Sequence, residues 1–267
     1  MSFNGPTSVK SDRVGAVRRL SNRSFRGKVQ RFLVEGPQAV REAVRSRPDV
    51  IDEVFVVPDT KAAVVVAEAA GAADLKVTEV PEQVLLAMTE TVHPQGIAAV
   101  CRFLDAEAQS LLIGARLVVV LHEVRDPGNA GTILRTADAA GADAVIFTGD
   151  AVDPYNGKCV RSTAGSLFHV PFAQASDLAA LLDVARGAGL QVLATAGSGD
   201  SDLVHLQRTG RLEPPTLWVF GNEAHGLPDG VAADHLVSIP IYGLAESLNL
   251  ASAAAVCLYA SAVAHAG

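Results

Sequence analysis

Cysteine is scarce in this chain of 267 residues: Cys101, Cys159 and Cys257 stand far apart, and none belongs to a CxxC pair. An odd, scattered set cannot complete a disulfide framework, so a reducing, cytoplasmic setting is expected. The seven histidines show no HExxH or paired spacing and no carboxylate cluster has a ligand pattern, so no metal is expected. The N-terminus lacks an apolar core followed by a small-residue cleavage site, and no secretory signal is expected. Long hydrophobic runs are missing too. The most apolar stretch, Leu248 to Ala264, is alanine-rich and carries Asn249, Ser252 and Ser261. It reads as a buried helix, since a span needs about 20 strongly apolar residues, and no membrane partner is expected. Charged residues make up only 19% of the chain against 49% apolar, which excludes disorder over most of its length. No repeat of solenoid period is present.

The formal charge of −7 argues at first against a nucleic-acid partner, which calls for Lys and Arg against phosphate. The average conceals an uneven distribution. Residues 1–31 hold eight bases (Lys10, Arg13, Arg18, Arg19, Arg23, Arg26, Lys28 and Arg31) against Asp12 alone, a net +7 that leaves −14 for the remainder. A basic N-terminal arm over 1–31 is therefore expected to supply nonspecific RNA affinity, the alternative being a solvated tail.

Beyond the arm, β-rich runs alternate with helical patterns. Strands are predicted at 31–35, 54–57 and 97–103, with helices at 37–47, 61–70 and 85–91, giving a first domain over 32–104 and a linker at 105–116. Over 117–267 the alternation strengthens. Strands at 117–121, 144–147, 190–194, 216–220 and 236–240 are nearly continuous apolar runs, separated by helices at 130–140 and 176–187 and followed by a helix at 247–264. Such strands indicate a parallel sheet covered on both faces, with chemistry at the carboxyl ends of the strands.

Three strand ends are chemically loaded. In Asp126-Pro-Gly-Asn129-Ala-Gly131-Thr-Ile-Leu-Arg135 a Gly/Asn turn opens a helix, whose free N–H groups favour an anion, and Arg135 could grip phosphate. Equally, Asn129 could be a helix cap and Arg135 a solvated residue. Phe220-Gly221-Asn222-Glu223-Ala-His225-Gly226 puts close backbone approach and one carboxylate at a mouth, or is an ordinary capped turn with His225 a bystander. Ile239-Pro240 leads through a Gly243 loop to Ser247-Leu248-Asn249, with Ser247 as a natural cap and Asn249 in need of a partner. Between them, Lys158 and Arg161 precede a Ser/Thr/Gly turn that holds RNA phosphate or merely caps a helix. Thr195-Ala-Gly197-Ser-Gly199 invites a dinucleotide reading, but Asp202 replaces the last glycine of GxGxxG.

In order, these blocks resemble the three motifs of the SpoU (TrmH-like) branch of the SPOUT superfamily, RNA ribose 2'-O-methyltransferases. Asn129, Gly131 and Arg135 match the first, Gly221-Asn222-Glu223 with Gly226 the second, and Ile239-Pro240 with Ser247-Leu248-Asn249 the third. Arg31-Phe-Leu-Val-Glu35-Gly36 and His93-Pro94-Gln95-Gly96-Ile97 resemble the small α/β, ribosomal-protein-like substrate-binding domain often attached to this family, including its thiostrepton-resistance type. The resemblance implies a catalytic domain with a C-terminal trefoil knot, a homodimer, and S-adenosylmethionine held by Thr195, Gly221, Ile239 and Leu248. It also implies that Arg135 acts at the target ribose, with Asn129, Glu223, Ser247 and Asn249 organising it. Arg18, Arg19, Arg23, Arg26, Lys28, Arg31, Lys158 and Arg161 are the expected RNA contacts. The implied substrate is 23S ribosomal RNA, with transfer RNA as the alternative. A non-catalytic RNA-binding assembly factor is disfavoured by the intact Asn129, Arg135, Glu223 and Asn249 set, and an NAD-dependent oxidoreductase by the broken glycine fingerprint.

Overall fold

The structure, a computed structural model, describes residues 3–266; Met1, Ser2 and Gly267 lie outside it. The chain divides into two compact units, Met1–Leu104 with Tyr155–His169, and Asp105–Pro154 with Val170–Gly267.

The first unit begins with α1 (Asp12–Arg18) and α2 (Arg23–Val29). Val14, Val17 and Leu20 recur at helical spacing and are buried against Leu33, Phe55, Leu85 and Met88, so this basic stretch is packed rather than a free arm. There follow β1 (Arg31–Glu35), α3 (Pro37–Ser46), β2 (Ile51–Val56), α4 (Lys61–Ala72), β3 (Val77–Glu79), α5 (Glu82–Met88) and β4 (Ile97–Arg102). The sheet order is β1-β4-β2-β3, with β1 and β2 antiparallel to β4 and β3 parallel to β2. A later segment departs from the division drawn from sequence, which gave all of 117–267 to the second domain. Tyr155–His169 belongs to the first unit because its aromatic side chains pack there. Tyr155 stacks on Phe103 with ring centroids 3.9 Å apart and lies 4.7 Å from Phe32, and Phe168 stacks on Phe32.

The second unit contains β5 (Leu117–His122), α6 (Pro127–Ala139) and β6 (Ala144–Thr148); the chain then passes through α7 (Gly157–Ser162) in the first unit. It returns as β7 (Phe172–Ala175), α8 (Leu178–Gly187), β8 (Gln191–Thr195), β9 (Ser201–Asp202), α9 (Leu203–Arg208), β10 (Thr216–Phe220), β11 (His235–Ser238) and α10 (Leu250–Ala266). The seven strands run β7-β6-β5-β10-β8-β11-β9, and all pairs are parallel. Every residue of β6 and β10 is buried, as the continuous apolar runs require of a sheet covered on both faces. Because β5, β10 and β8 are neighbours, the loops leaving their carboxyl ends share one edge of the sheet.

Trp218 sits wholly buried in β10, and its Nε1 donates to Ser261 Oγ of α10 at 2.9 Å. Ser261→Ala removes the acceptor and strands a buried N–H, with an expected cost of about 1–3 kcal/mol. A lowered midpoint in urea unfolding at unchanged m-value would register it.

Candidate active site

Each loop at this edge is fixed by a side chain that satisfies backbone groups. After β5, Asp126 caps α6: its Oδ1 accepts from Asn129 N at 2.8 Å, and Pro127 occupies the first turn. Asn129 is therefore not the cap, and its carboxamide is available for another task. After β10, Asn222 donates from Nδ2 to Glu123 O at 2.8 Å, and its Oδ1 accepts from Ala224 N and His225 N. Asn222 and Gly226 also exchange backbone hydrogen bonds at 2.9 Å. A Cβ at Gly221 would lie 2.5–2.7 Å from the backbone of Gly226 and Leu227, so only glycine permits this turn.

At the third loop the structure corrects the sequence reading. The cap of α10 is Asn249, whose Oδ1 accepts from Ala251 N at 2.9 Å and Ser252 N at 3.4 Å. The helix starts at Leu250, so Ser247, two residues before the cap, stays in an exposed loop.

That cap orients a chain of amides. With Oδ1 of Asn249 committed to its helix, Nδ2 donates to Asn129 Oδ1 at 3.1 Å, which turns Asn129 Nδ2 toward Glu223 Oε1, also at 3.1 Å. The Glu223 carboxylate accepts further from Asp126 N at 3.1 Å and Arg125 N at 3.2 Å. Burial pushes its pKa up, but the Asn129 amide and the backbone N–H groups of Glu223, Arg125 and Asp126 outweigh burial and hold it below the usual carboxylate value. Asn129, Glu223 and Asn249, remote in sequence, thus form one hydrogen-bonded unit.

These loops enclose a cavity of about 490 Å³. Thr195, Gly221, Ile239 and Leu248 line it, together with Asn129, Glu223, Ser247 and Asn249. Ile239, Ile241, Leu248 and Leu250 supply apolar wall, while Thr195 to Gly197 and Gly221 present bare or small-residue backbone. This donor set fits S-adenosylmethionine, which offers a flat purine to an apolar wall and polar groups to backbone. Glu246, Gly197 and Asn222 also line the cavity, and Asp126 fixes the loop that carries Asn129 to it; an Asx residue closely following a strand end is the signal that would have found Asp126. Gly199 has a different task. Its Cβ would fall 2.3 Å from Leu236 O, and Asp200 Oδ1 accepts from Leu236 N, so this glycine lets the loop lie against β11.

The expected cations separate into groups. Arg135 is exposed on α6, does not line the cavity, and has no hydrogen bond or ion pair among the described residues. Arg18, Arg19, Arg23 and Lys28 are exposed, with Arg19 over the Phe25 ring at 4.0 Å. Arg26 is a correction: it is 2% exposed, and its Nη1 donates to the carbonyls of Leu20 and Ser21, so it holds the turn between α1 and α2 and cannot meet phosphate. Arg31 pairs with Asp52 at 2.5 Å, Arg161 pairs with Glu35 and Glu90, and Lys158 is exposed on α7. Among the described residues no helix is long and apolar enough to cross a membrane, and no group of His, Cys, Asp and Glu could hold a metal.

Comparison with known proteins identifies the family. Residues 116–259 match the SpoU rRNA Methylase family, and residues 33–106 match the RNA 2'-O ribose methyltransferase substrate binding family. The chain is 34% identical over 258 residues to RlmP of Bacillus subtilis (strain 168), a 23S rRNA (guanosine(2553)-2'-O)-methyltransferase, covering 94% of this chain and 96% of that one. It is 34% identical over 204 residues to RlmB of Ralstonia nicotianae, a 23S rRNA (guanosine-2'-O-)-methyltransferase, covering 72% and 78%. The AdoMet-bound rRNA methyltransferase of Sinorhizobium meliloti superposes with a TM-score of 0.82 at 33% identity, with 96% of each chain covered. With its three motif blocks gathered at one cavity and both halves matched, this chain belongs to the SpoU rRNA methylase family, the S-adenosylmethionine-dependent methyltransferases of RNA ribose 2'-hydroxyls.

Proposed function

We propose that this protein methylates a ribose 2'-hydroxyl of 23S ribosomal RNA, in the cytoplasm and as a homodimer. The observation that carries the reading is the linked set Asn129, Glu223 and Asn249 at the mouth of a cavity lined by Thr195, Gly221, Ile239 and Leu248. Relatives named as 23S rRNA methyltransferases, matched over nearly the whole chain, support the substrate. Incubating the protein with S-adenosylmethionine and either 23S rRNA or transfer RNA, then mapping 2'-O-methyl groups, tests it. Label on 23S rRNA is expected; label confined to transfer RNA, or none, overturns it.

When bound, S-adenosylmethionine supplies a methyl on a positively charged sulfur, which passes in line to the ribose 2'-oxygen. The chain's part is largely positioning, which can lower a barrier by about 7–11 kcal/mol in favourable cases. Arg135 binds the phosphate beside the target ribose through its fork of N–H donors and so orients the 2'-hydroxyl. A guanidinium has a pKa above about 12 and is a poor base, so loss of the hydroxyl proton is assisted at the Arg135-bound phosphate rather than by Arg135 alone. Asn129, Glu223 and Asn249 keep the three loops in register, and Ser247 reaches the cavity from the exposed loop.

The C-terminal segment is read as a trefoil knot, supported by β11 lying between β8 and β9, two strands that are consecutive in sequence. The homodimer is supported by Tyr242 and Leu244, fully exposed in the loop ahead of α10, and by the exposed Val256, Tyr259 and Val263 on α10. Leu244→Asp is expected to shift the protein toward monomer in sedimentation velocity and to lower activity. The first unit is assigned to RNA. Charge reversal at Arg18, Arg23 and Lys28 together is expected to weaken RNA binding at least tenfold and to flatten the dependence of log affinity on log salt, read by filter binding over 50–200 mM salt. Arg26→Ala is expected to lower the melting temperature instead, because that guanidinium is part of the fold.

A further inference from the structure

The first unit holds a second cavity, of about 300 Å³, where β1 ends and α3 begins. Its base is complete. The Glu35 carboxylate, 7% exposed, accepts from Glu90 N at 2.8 Å, from Thr91 N at 3.3 Å and from the Thr91 hydroxyl, and it pairs with Arg161 at 3.3 Å. Arg161 comes from the 155–169 segment and also faces Glu90 at 3.6 Å. Two carboxylates against one guanidinium leave this site net negative, which disfavours a phosphate inside it.

The rim is different. Gln38, His93 and Gln95 line the cavity, are exposed, and carry no hydrogen bond or ion pair among the described residues. Their side chains offer both donors and acceptors, and Pro94, Ile97 and Ala39 add apolar surface. Gly36, at φ +92°, is the turn that brings the α3 terminus to this mouth, and a Cβ there would lie 3.1 Å from Gln95 Oε1. Uncommitted amides and an imidazole beside small apolar patches, over a net negative base, suit a flat, uncharged, hydrogen-bonding ring.

We propose that this cavity receives one unstacked nucleobase of the RNA substrate, read by Gln38 and Gln95 and covered by His93, and so contributes to substrate choice. The proposal rests on the RNA methyltransferase reading and deepens it. Sequence-selective RNA recognition commonly takes splayed bases onto side-chain amides and rings in this way. Arg161, expected from sequence to hold phosphate, here braces Glu35 and is a positioning residue.

The test is the double variant Gln38→Ala/Gln95→Ala, with Gln38→Met/Gln95→Met as a second version that keeps size and neutrality and removes the amide donors. Both are assayed on 23S rRNA for methylation, RNA affinity and S-adenosylmethionine affinity. The expected result is a rise in RNA KM of about tenfold or more, with kcat within about twofold, cofactor affinity unchanged, and the salt dependence of RNA binding keeping its slope. An unchanged KM in both variants overturns the pocket, as does a loss of affinity accompanied by a flatter salt slope, which would mean a phosphate site. If the unmodified protein methylates no RNA, the functional reading itself fails, which the wild-type lane reports separately.

Discussion

Arg135→Ala is expected to lower kcat for RNA methylation by about 10²–10³-fold or more, while S-adenosylmethionine binds within about twofold of its original affinity. The separation follows from position. Arg135 stands on α6 six residues beyond Asn129, exposed and outside the cavity lining, so its removal takes nothing from the cofactor walls. No hydrogen bond or ion pair holds it among the described residues, so stability should hardly change and the loss can be assigned to the reaction. Arg135→Lys is the control for the kind of contact. Lysine keeps the charge but not the planar fork, so recovery of only part of the rate would indicate that two-point orientation of the phosphate matters beyond neutralisation. Single-turnover methylation with calorimetric cofactor binding measures both quantities. A variant that keeps its rate, or that loses cofactor affinity to the same extent, removes Arg135 from the reacting centre.

Much of the second unit could be read in the chain before its structure. The runs at 117–121 and 217–220 are apolar at every position because β5 and β10 are covered on both faces, and that pattern has one common structural meaning. Boundaries were less legible. The helix expected at 247–264 runs from Leu250 to Ala266, because a serine and an asparagine two residues apart compete for the cap and only the tertiary setting chooses between them. The basic N-terminal stretch misled in a different manner. Eight bases dominate its composition, yet Val14, Val17 and Leu20 carry a helical period that ties it to a core, and Arg26 serves the backbone instead of a ligand. Contacts between distant segments were beyond local pattern altogether. Nothing near Tyr155 announces that its ring will stack on Phe103, because the pairing depends on where the chain crosses between units. The family resemblance named Asn129, Glu223 and Asn249, but only the structure shows that they bond to one another, and in which direction.

That direction gives the second large effect. Asn129→Ala is expected to lower activity by about 10²-fold through lost positioning, at a stability cost of only about 1 kcal/mol, because the hydrogen bonds it breaks can be partly replaced by water. Asn129→Asp discriminates further. The aspartate still accepts from Asn249 Nδ2, but it sets a second carboxylate against Glu223 in place of an amide donor. In the unaltered protein the Glu223 pKa is depressed, so the contribution of the ionised group is complete above the ordinary glutamate value of about 4.3 and is lost as pH falls through a folded value lying below it. Removing the amide donor and adding a like charge both favour the protonated acid, so the acid limb of cofactor binding should move to higher pH in Asn129→Asp. Titrating S-adenosylmethionine affinity between pH 4 and 7 for the two proteins reads the difference. Coincident acid limbs would mean that Glu223 does not couple Asn129 to the cofactor cavity.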